Sequence, residues 1–489
     1  MSAPETSSAS SASSAPVVPV VPVVRYGRPP IDDLPQVSVV IVGAGACGLS
    51  AALVLQDVGI DCVLLERDGV PSGSTALSSG FIPAVGSQVQ RAAGIGDSPA
   101  RFAEDIQGKA GGTAASHLVD AYASASGAAM DMLARHGLHF EILDGFLYPG
   151  HSVRRMHSLP ERTGAALMAA LERAVQATDA AILTRTLVRE LWLDDAGRVQ
   201  AVGGVRPDGA MEYLGCDMLL LACNGFGGNA ELRRAWLPEM AEAVYGGHEG
   251  NDGSALLWGR ELGAASADLG GYQGHGSWAS PHGVLISWAV IMDGGVQINR
   301  LGKRFHDETH GYSEAAVHVL AQPDGVAWNV FDAQTLALAR TFPDFQEAEA
   351  AGALRTCADA EALASTIGCD ADVLRETLRS VTPGGTPADG RHFTRALAAP
   401  YYAVKVTGAL FHTQGGLDID ARCRVLRADG SPFPNLLAAG GAARGVSGNA
   451  VWGYLSGNGL LSAVAGGYLA ANTIVDTLGD AFPQQEISA

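Results

Sequence analysis

Three glycines, Gly43, Gly45 and Gly48, stand at the spacing of a turn that cradles a phosphate pair, and an acid, Glu66, follows about twenty residues on. Gly43 permits the tight turn, Gly45 lets backbone N–H groups approach a pyrophosphate, and Gly48 lets the following helix pack closely on its strand. Ala44, Ala46 and Cys47 keep the turn and the first helical positions small. Glu66, with Arg67 behind it, stands where a ribose hydroxyl needs an acceptor. The chemistry these residues suit is dinucleotide binding.

The elements that must position the turn are written around it. Val37–Val42 is a β-branched apolar run, the small-residue stretch after Gly45 suits a helix, and Cys62–Leu65 is a second strand that ends at Glu66. Gly73 to Gly80, with Ser74, Thr75, Ser79 and Gly80, is a small polar stretch whose backbone can lie against a flat ring system. Asp217–Leu221 reads as a fully buried strand stopped at Ala222-Cys223-Asn224-Gly225, and Asn435–Ala439 repeats that design before Gly440 and Gly441. Gly459 and Leu460 open a long small-residue helix. Two glycine-ended strands about two hundred residues apart are expected in one sheet, with a second domain inserted between them.

The expected organisation is therefore an α/β chain: a Rossmann-like, two-dinucleotide-binding-type domain over 36–269 and 414–489, interrupted by an α+β capping domain over 270–413. Residues 1–35, rich in Ser and Ala and then in Val-Val-Pro repeats, read as a disordered or extended tail rather than a signal peptide, because the prolines break any apolar helix. Helical spacing runs over 101–133, 164–177 and 359–381, a hairpin over 187–205, and strand over 285–298.

A net charge of −19 disfavours nucleic acid and anionic membrane surfaces as partners. The seven cysteines contain no CxxC pair, so no metal site is expected and a reducing, cytoplasmic compartment is. No stretch reaches the ~18 uninterrupted apolar residues of a membrane span.

The glycine motif with Glu66, the segment Gly73–Gly80, the run from Leu221 to Asn229, Gly302–Glu308, Thr413–Asp420 and Leu437–Gly440 together resemble the flavoprotein superfamily of fumarate reductase and succinate dehydrogenase, which also contains the 3-ketosteroid dehydrogenases. The resemblance implies FAD in an extended pose, with the helix near Gly459 facing the flavin. Succinate dehydrogenases tether their flavin to a histidine whose place here is taken by Ser74, which implies non-covalent FAD.

The same resemblance sorts the substrate groups. His275, Ser287 and His412 match carboxylate-binding positions of the dicarboxylate enzymes. Their proton-donating arginine falls on Tyr312, two members of their proton relay fall on Trp288 and Ile291, and their clamping arginine has no counterpart in Gly448–Tyr454. Tyr454-Leu455-Ser456-Gly457 looks instead like the ketosteroid dehydrogenases that desaturate between positions 4 and 5. That implies removal of two hydrogens beside a ketone: Tyr454 with a backbone N–H near Gly457 or Asn458 polarises the carbonyl, Tyr312, deprotonated or relaying to His310 or His275, takes the α proton, Ser456 orients it, and flavin accepts the β hydride.

The preferred expectation is thus an FAD-dependent dehydrogenase of a cyclic ketone or 3-ketosteroid, with an external electron acceptor such as a quinone, oxygen or another flavoprotein. An ene-reductase or dehydrogenase of an unsaturated carboxylic acid is the alternative, and a flavin protein without turnover a third reading. Arg300 and Arg304 are expected to hold the cap to the FAD domain, Arg444 to be a spare cation near the flavin, Asp252 to cap a helix, and Trp278, Trp288 and Trp452 to narrow the pocket.

Overall fold

The computed structural model describes residues 21–144, 147–385 and 390–481. Gln36–Val42, apolar on both faces, lies inside a nine-stranded sheet. It runs parallel to Cys62–Leu65 on one side and to Met211–Leu221 on the other, and Cys62–Leu65 runs parallel to Ala181–Leu183. Met211–Leu221 divides its pairing: its first half is antiparallel to Val199–Val205, and its last residues are parallel to Pro432–Ala438.

The register puts Leu65, Val42, Leu221 and Ala438 in one row across the sheet. The residues that follow, Glu66, Gly43, Ala222 and Ala439, therefore share one edge, at the carboxyl ends of parallel strands where α/β sheets bind ligands. The two glycine-ended strands do belong to one sheet.

The helices Ala46–Asp57 and Asn458–Ala481 pack together at that edge. Their crossing is close because it is made of small residues: a Cβ at Gly467 would stand 2.4 Å from the Cys47 carbonyl oxygen. Gly48 works in the same way toward the strand, since a Cβ there would lie 2.0 Å from the Gly43 carbonyl.

A seven-stranded sheet forms the core of the cap, with the long strand Tyr401–Thr413 at its centre, flanked by Tyr272–Ala279 and Val326–Phe331. Val326–Phe331 is buried along its whole length, and its alternate residues enter two different cores. Ala327 and Phe331 pack with Ile286, Val290 and Phe345, whereas Val326, Trp328 and Val330 pack with Leu363, Leu374 and Leu378. Val244–Tyr245, from before the expected insert, also joins this sheet beside Tyr401–Thr413.

Four segments differ from the expectations, the first being the helical pattern over 101–133, which is two helices, Pro99–Lys109 and Ser116–Arg135. Val23–Tyr26 is not free tail; it pairs parallel with Leu187–Leu193 at the edge of the first sheet, and the Val21 carbonyl accepts from Arg189 at 2.9 Å. The Val/Pro repeat ends at Pro22, which leaves Val23 and Val24 free to pair; residues 1–20 lie outside the described residues. The expected strand over 285–298 is Val284–Leu285, a helical turn Ala289–Met292 and then Val296–Ile298. Gly294, at φ 111°, and Gly295, where a Cβ would lie 2.6 Å from the Val290 carbonyl, make the tight return that interrupts it. The helical pattern over 359–381 is two helices, Ala360–Ile367 and Ala371–Ser380, because Gly368 ends the first in the left-handed conformation and Asp370 caps the second.

Candidate active site

A cleft runs along the carboxyl edge of the first sheet and under the cap. Its floor is lined by Gly43, Gly45, Ala46, Cys47, Glu66 and Arg67 from the first βαβ unit, and by Ser74, Thr75 and Ser79 from the small polar stretch. Ala222, Cys223 and Asn224 follow, then Gly440, Gly441, Gly459 and Leu460. Four candidate contact residues do not line it. The N–H of Ala44 donates to Glu66 Oε2 at 2.9 Å, and Gly48, Gly80 and Gly225 are close approaches of chain to chain, with a Cβ on Gly225 meeting Thr413 Oγ1 at 2.0 Å.

The floor suits an extended dinucleotide. The helix Ala46–Asp57 starts at Gly45 with no side-chain cap, so most of its first N–H groups have no side chain to satisfy them; Thr75 Oγ1 reaches Ala46 N at 3.3 Å. A Cβ at Gly45 would find nothing nearer than Thr75 Oγ1 at 3.8 Å, which leaves that backbone open to a pyrophosphate. Glu66 is 8 % exposed and accepts one backbone N–H on each oxygen, from Ala44 and Asp68, so a lone pair remains on each for ribose hydroxyls. Ser462 Oγ and Trp288 Nε1 both line the cleft and are buried without a partner among the described residues.

Asn224 adopts a left-handed φ of 65°, a conformation that asparagine tolerates better than most residues. From there its Nδ2 donates to Ser74 Oγ at 3.0 Å, and Asn251 Nδ2 donates to the same oxygen at 2.8 Å. Ser74 is thereby held by two amides from a different part of the chain.

At the cap end, Tyr312 opens the helix Tyr312–Leu320 and Tyr454 precedes the helix Asn458–Ala481. Their rings meet edge to face with centroids 6.2 Å apart. The Ser456 side chain favours ionisation of Tyr312, and the backbone N–H groups of Gly457 and Gly459 and the Tyr312 side chain favour ionisation of Tyr454. Burial pushes Tyr454 up to about 12 in spite of those donors. Burial, and then the neighbouring Tyr454, push Tyr312 well above the usual phenol range, so the standing phenolate expected as one form of this residue is disfavoured.

His275 stacks on Tyr312 at 4.9 Å and accepts the Ser277 N–H on Nδ1 at 3.1 Å, which puts its proton on Nε2. Burial lowers it to about 3. His412 meets the Tyr454 ring at 5.5 Å, its Nδ1 lies 3.2 Å from Gln414 Nε2 and 3.4 Å from the Thr413 carbonyl oxygen, and burial lowers it to about 4. Both histidines are neutral at pH 7. Stacked faces offer no hydrogen bond, so His275 is not a relay for the Tyr312 proton in this arrangement; His310, with its side chain 69 % exposed beside Asp307, is outside the cleft altogether.

Behind the tyrosines is a buried ionic support. Arg155 is fully buried, donates to both oxygens of Asp97 at 3.0 Å, and pairs with Asp105. Its Nη1 faces His151 Nδ1 at 3.2 Å, and His151 Nε2 reaches the Ser456 carbonyl at 2.9 Å.

Residues 38–460 match the family described as FAD binding domain. The chain belongs to this FAD-binding family. It is an FAD-dependent oxidoreductase of the fumarate reductase superfamily, with ketosteroid dehydrogenases among its relatives. A probable fumarate reductase of Shewanella frigidimarina is 28% identical over 89% of this chain and 74% of its own length. The 4-oxocyclohex-2-ene-1-carboxylate 5-dehydrogenase of Sinomonas cyclohexanicum is 28% identical over 64% of this chain and 59% of its own. The solved 3-ketosteroid Δ4-(5α)-dehydrogenase of Rhodococcus jostii RHA1 superimposes with a TM-score of 0.73 at 22% identity, covering 91% of this chain and 98% of that one, which is a likeness of fold.

Within this FAD-binding fold several expected roles move. Arg444 is no spare cation, since it pairs with Asp268 at 2.6 Å and Asp418 at 3.3 Å. Arg304 bonds Glu308 and Arg300 bonds Asp324, both inside the cap rather than across to the FAD domain. Trp452 is 60 % exposed and neither it nor Trp278 lines the cleft; Trp288 does, beside Ser287, while Ile291 is core. Asp252 caps the helix Ser254–Leu262 from two residues ahead, accepting from Ser254 at 3.0 Å. Tyr148, Asn251 and Asp344 line the cleft and His151 and Arg155 stand behind it; sequence reasoning missed all five as site residues, because none belongs to a motif, and for Asp344 the Pro343-Asp344 helix start is the nearest thing to a signal.

Proposed function

We propose that this oxidoreductase removes two hydrogens from adjacent carbons of a cyclic ketone or 3-ketosteroid. The observation that carries the reading is the edge-to-face pair of Tyr312 and Tyr454, ring centroids 6.2 Å apart, at a cleft end with no cation: among the described residues Arg67 is the one Lys or Arg in the cleft lining, and it is bound to the Gly250 carbonyl at 2.8 Å beside Glu66. Tyr454 is assigned the substrate carbonyl oxygen as it gains charge, because burial keeps its phenol proton in place to donate and the backbone N–H groups of Gly457 and Gly459 favour the charge it takes up. Tyr312 is assigned the α proton. It takes that proton as a phenolate, a form that burial disfavours and the Ser456 side chain favours. FAD, when bound, supplies the acceptor for the β hydride. We take it to be non-covalent, since Ser74 cannot form a histidyl link, and to be reoxidised by an external quinone, oxygen or flavoprotein. The free state of all seven cysteines favours a cytoplasmic setting.

A second reading, reduction or oxidation of an unsaturated carboxylic acid, is favoured by His275, Ser287 and His412, which all line the cleft. Anaerobic flavin bleaching separates the two. Loss of oxidised flavin absorbance on adding a cyclic ketone or 3-ketosteroid, with none on adding succinate, is expected; reoxidation of dithionite-reduced enzyme by fumarate alone would overturn the ketone reading.

A further inference from the structure

Of the four carboxylates in the cleft lining, Glu66, Asp68, Asp252 and Asp344, the last stands on a cap helix and takes no part in this reaction. Asp344 lies in the first turn of the cap helix Pro343–Ala350 and lines the same cleft as Tyr312 and Tyr454. Phe345, 1 % exposed, is anchored in the cap core next to it, and the helix packs on the strand Val284–Leu285, so the position of Asp344 is fixed by buried contacts. Its Oδ1 accepts the Phe345 N–H at 2.7 Å. The charge acting on Asp344 is that of Glu347 on its own helix, a like charge, and Asp344 in turn acts on Tyr148, whose ring lies 6.0 Å from Phe81. Among the described residues no Lys or Arg pairs with it, and burial pushes its carboxyl up to about 6.

A half-buried acid in an otherwise aromatic and apolar end of a cleft has a definite effect on what can enter. It repels a carboxylate and offers a strong acceptor to a hydroxyl or ammonium group. Tyr148 with Phe81, and Leu285 on the strand that the helix packs against, are cleft walls on this side and suit a hydrocarbon ring system.

We infer that Asp344 is a specificity residue, which excludes anionic substrates and receives a hydroxyl or ammonium substituent at the end of the substrate remote from its reacting ketone. The ketone in this statement rests on the proposed function; the remote hydrogen-bond donor does not.

Binding of unreactive probes to the full-length, FAD-loaded protein tests the inference by flavin absorbance titration. Cyclohexylmethylamine and cyclohexylmethanol should bind wild type at least 10-fold more tightly than cyclohexanecarboxylate. In Asp344→Asn the amine should lose at least 10-fold and the carboxylate gain as much; Asp344→Ser, which keeps an acceptor for the helix turn, should behave alike and serves if the first variant fails to fold. The same ranking of the three probes in wild type and variant overturns the inference. Turnover is read separately with 4-hydroxymethyl- and 4-carboxycyclohexanone. Failure of both ketones to bleach the wild-type flavin would count against the ketone reading, while the probe ranking still decides Asp344.

Discussion

His151 Nε2 lies 2.9 Å from the carbonyl oxygen of Ser456, and the other ring nitrogen faces the Arg155 guanidinium at 3.2 Å. Because guanidinium can only donate, Nδ1 accepts and the ring proton is on Nε2, directed at Ser456. The buried Asp97–Arg155–Asp105 cluster thus fixes one tautomer of His151, and His151 fixes the backbone between Tyr454 and Gly457.

That makes His151 a positioning residue. His151→Phe leaves the Ser456 carbonyl without its donor and should lower kcat on the order of 10-fold with KM and FAD content little changed. His151→Gln, which keeps an N–H at about the same reach, should restore most of the rate. Steady-state kinetics of the two variants decide it: equal losses in both would mean simple loss of packing.

The tyrosine assignments predict that Tyr454→Phe and Tyr312→Phe each retain FAD but lose on the order of 10² or more in turnover, as removal of an oxyanion or acid–base group does. Flavin absorbance measures the first and product formation the second. Wild-type rates in both variants would remove the assignments.

The carboxyl edge of the first sheet was legible because its strands end in apolar runs, three of which stop at a small residue and the fourth at Glu66, and parallel pairing then leaves little choice of register. Tyr312 and Tyr454 are far apart in the chain, and nothing in their own neighbourhoods announces that they meet; the family resemblance brought them together. His151 and Asp344 had no such help. A histidine in a loop and an acid at a helix start are ordinary in sequence, and what distinguishes them, a buried guanidinium behind one and an uncompensated cleft position for the other, exists only in three dimensions. Arg304 and Arg444 were misassigned for the converse reason: their partners, Glu308, Asp268 and Asp418, are supplied by the fold.

Buried histidines predict an acid sensitivity. Burial lowers His275 to about 3, and His151, His157, His306 and His412 to about 4, against about 6.5 in the unfolded chain. Between those values the unfolded state binds more protons, so stability is full above about pH 6.5 and falls as the pH drops toward 4. Asp344 and Glu314, raised by burial, oppose this as two groups against five. The urea midpoint should therefore be lower at pH 5 than at pH 7.5; an equal or higher midpoint at pH 5 would show that these imidazoles are not buried neutral.

The loop that delivers Tyr312 is tied down by Glu308, four residues before it. Glu308 is fully buried, accepts from Arg304 at 2.5 and 3.0 Å, from Arg391 at 2.8 Å and from the Gln297 N–H at 2.9 Å. Burial alone would raise its carboxyl, yet the two guanidiniums hold it down to about 2. Both guanidiniums also lie over the Phe393 ring, at 4.9 and 4.7 Å, so the cluster joins the strand Val296–Ile298, the Tyr312 loop and the segment after Gly390. Glu308→Gln leaves two buried cations facing a neutral amide and should cost about 3–5 kcal/mol in urea unfolding, because the desolvation of the guanidiniums is no longer offset. The damage should be confined to the cap: FAD affinity, set by the first sheet, should hold while turnover falls with the loosened Tyr312. A variant as stable as wild type would mean that the cluster relaxes to admit water and that Tyr312 is held by its helix alone.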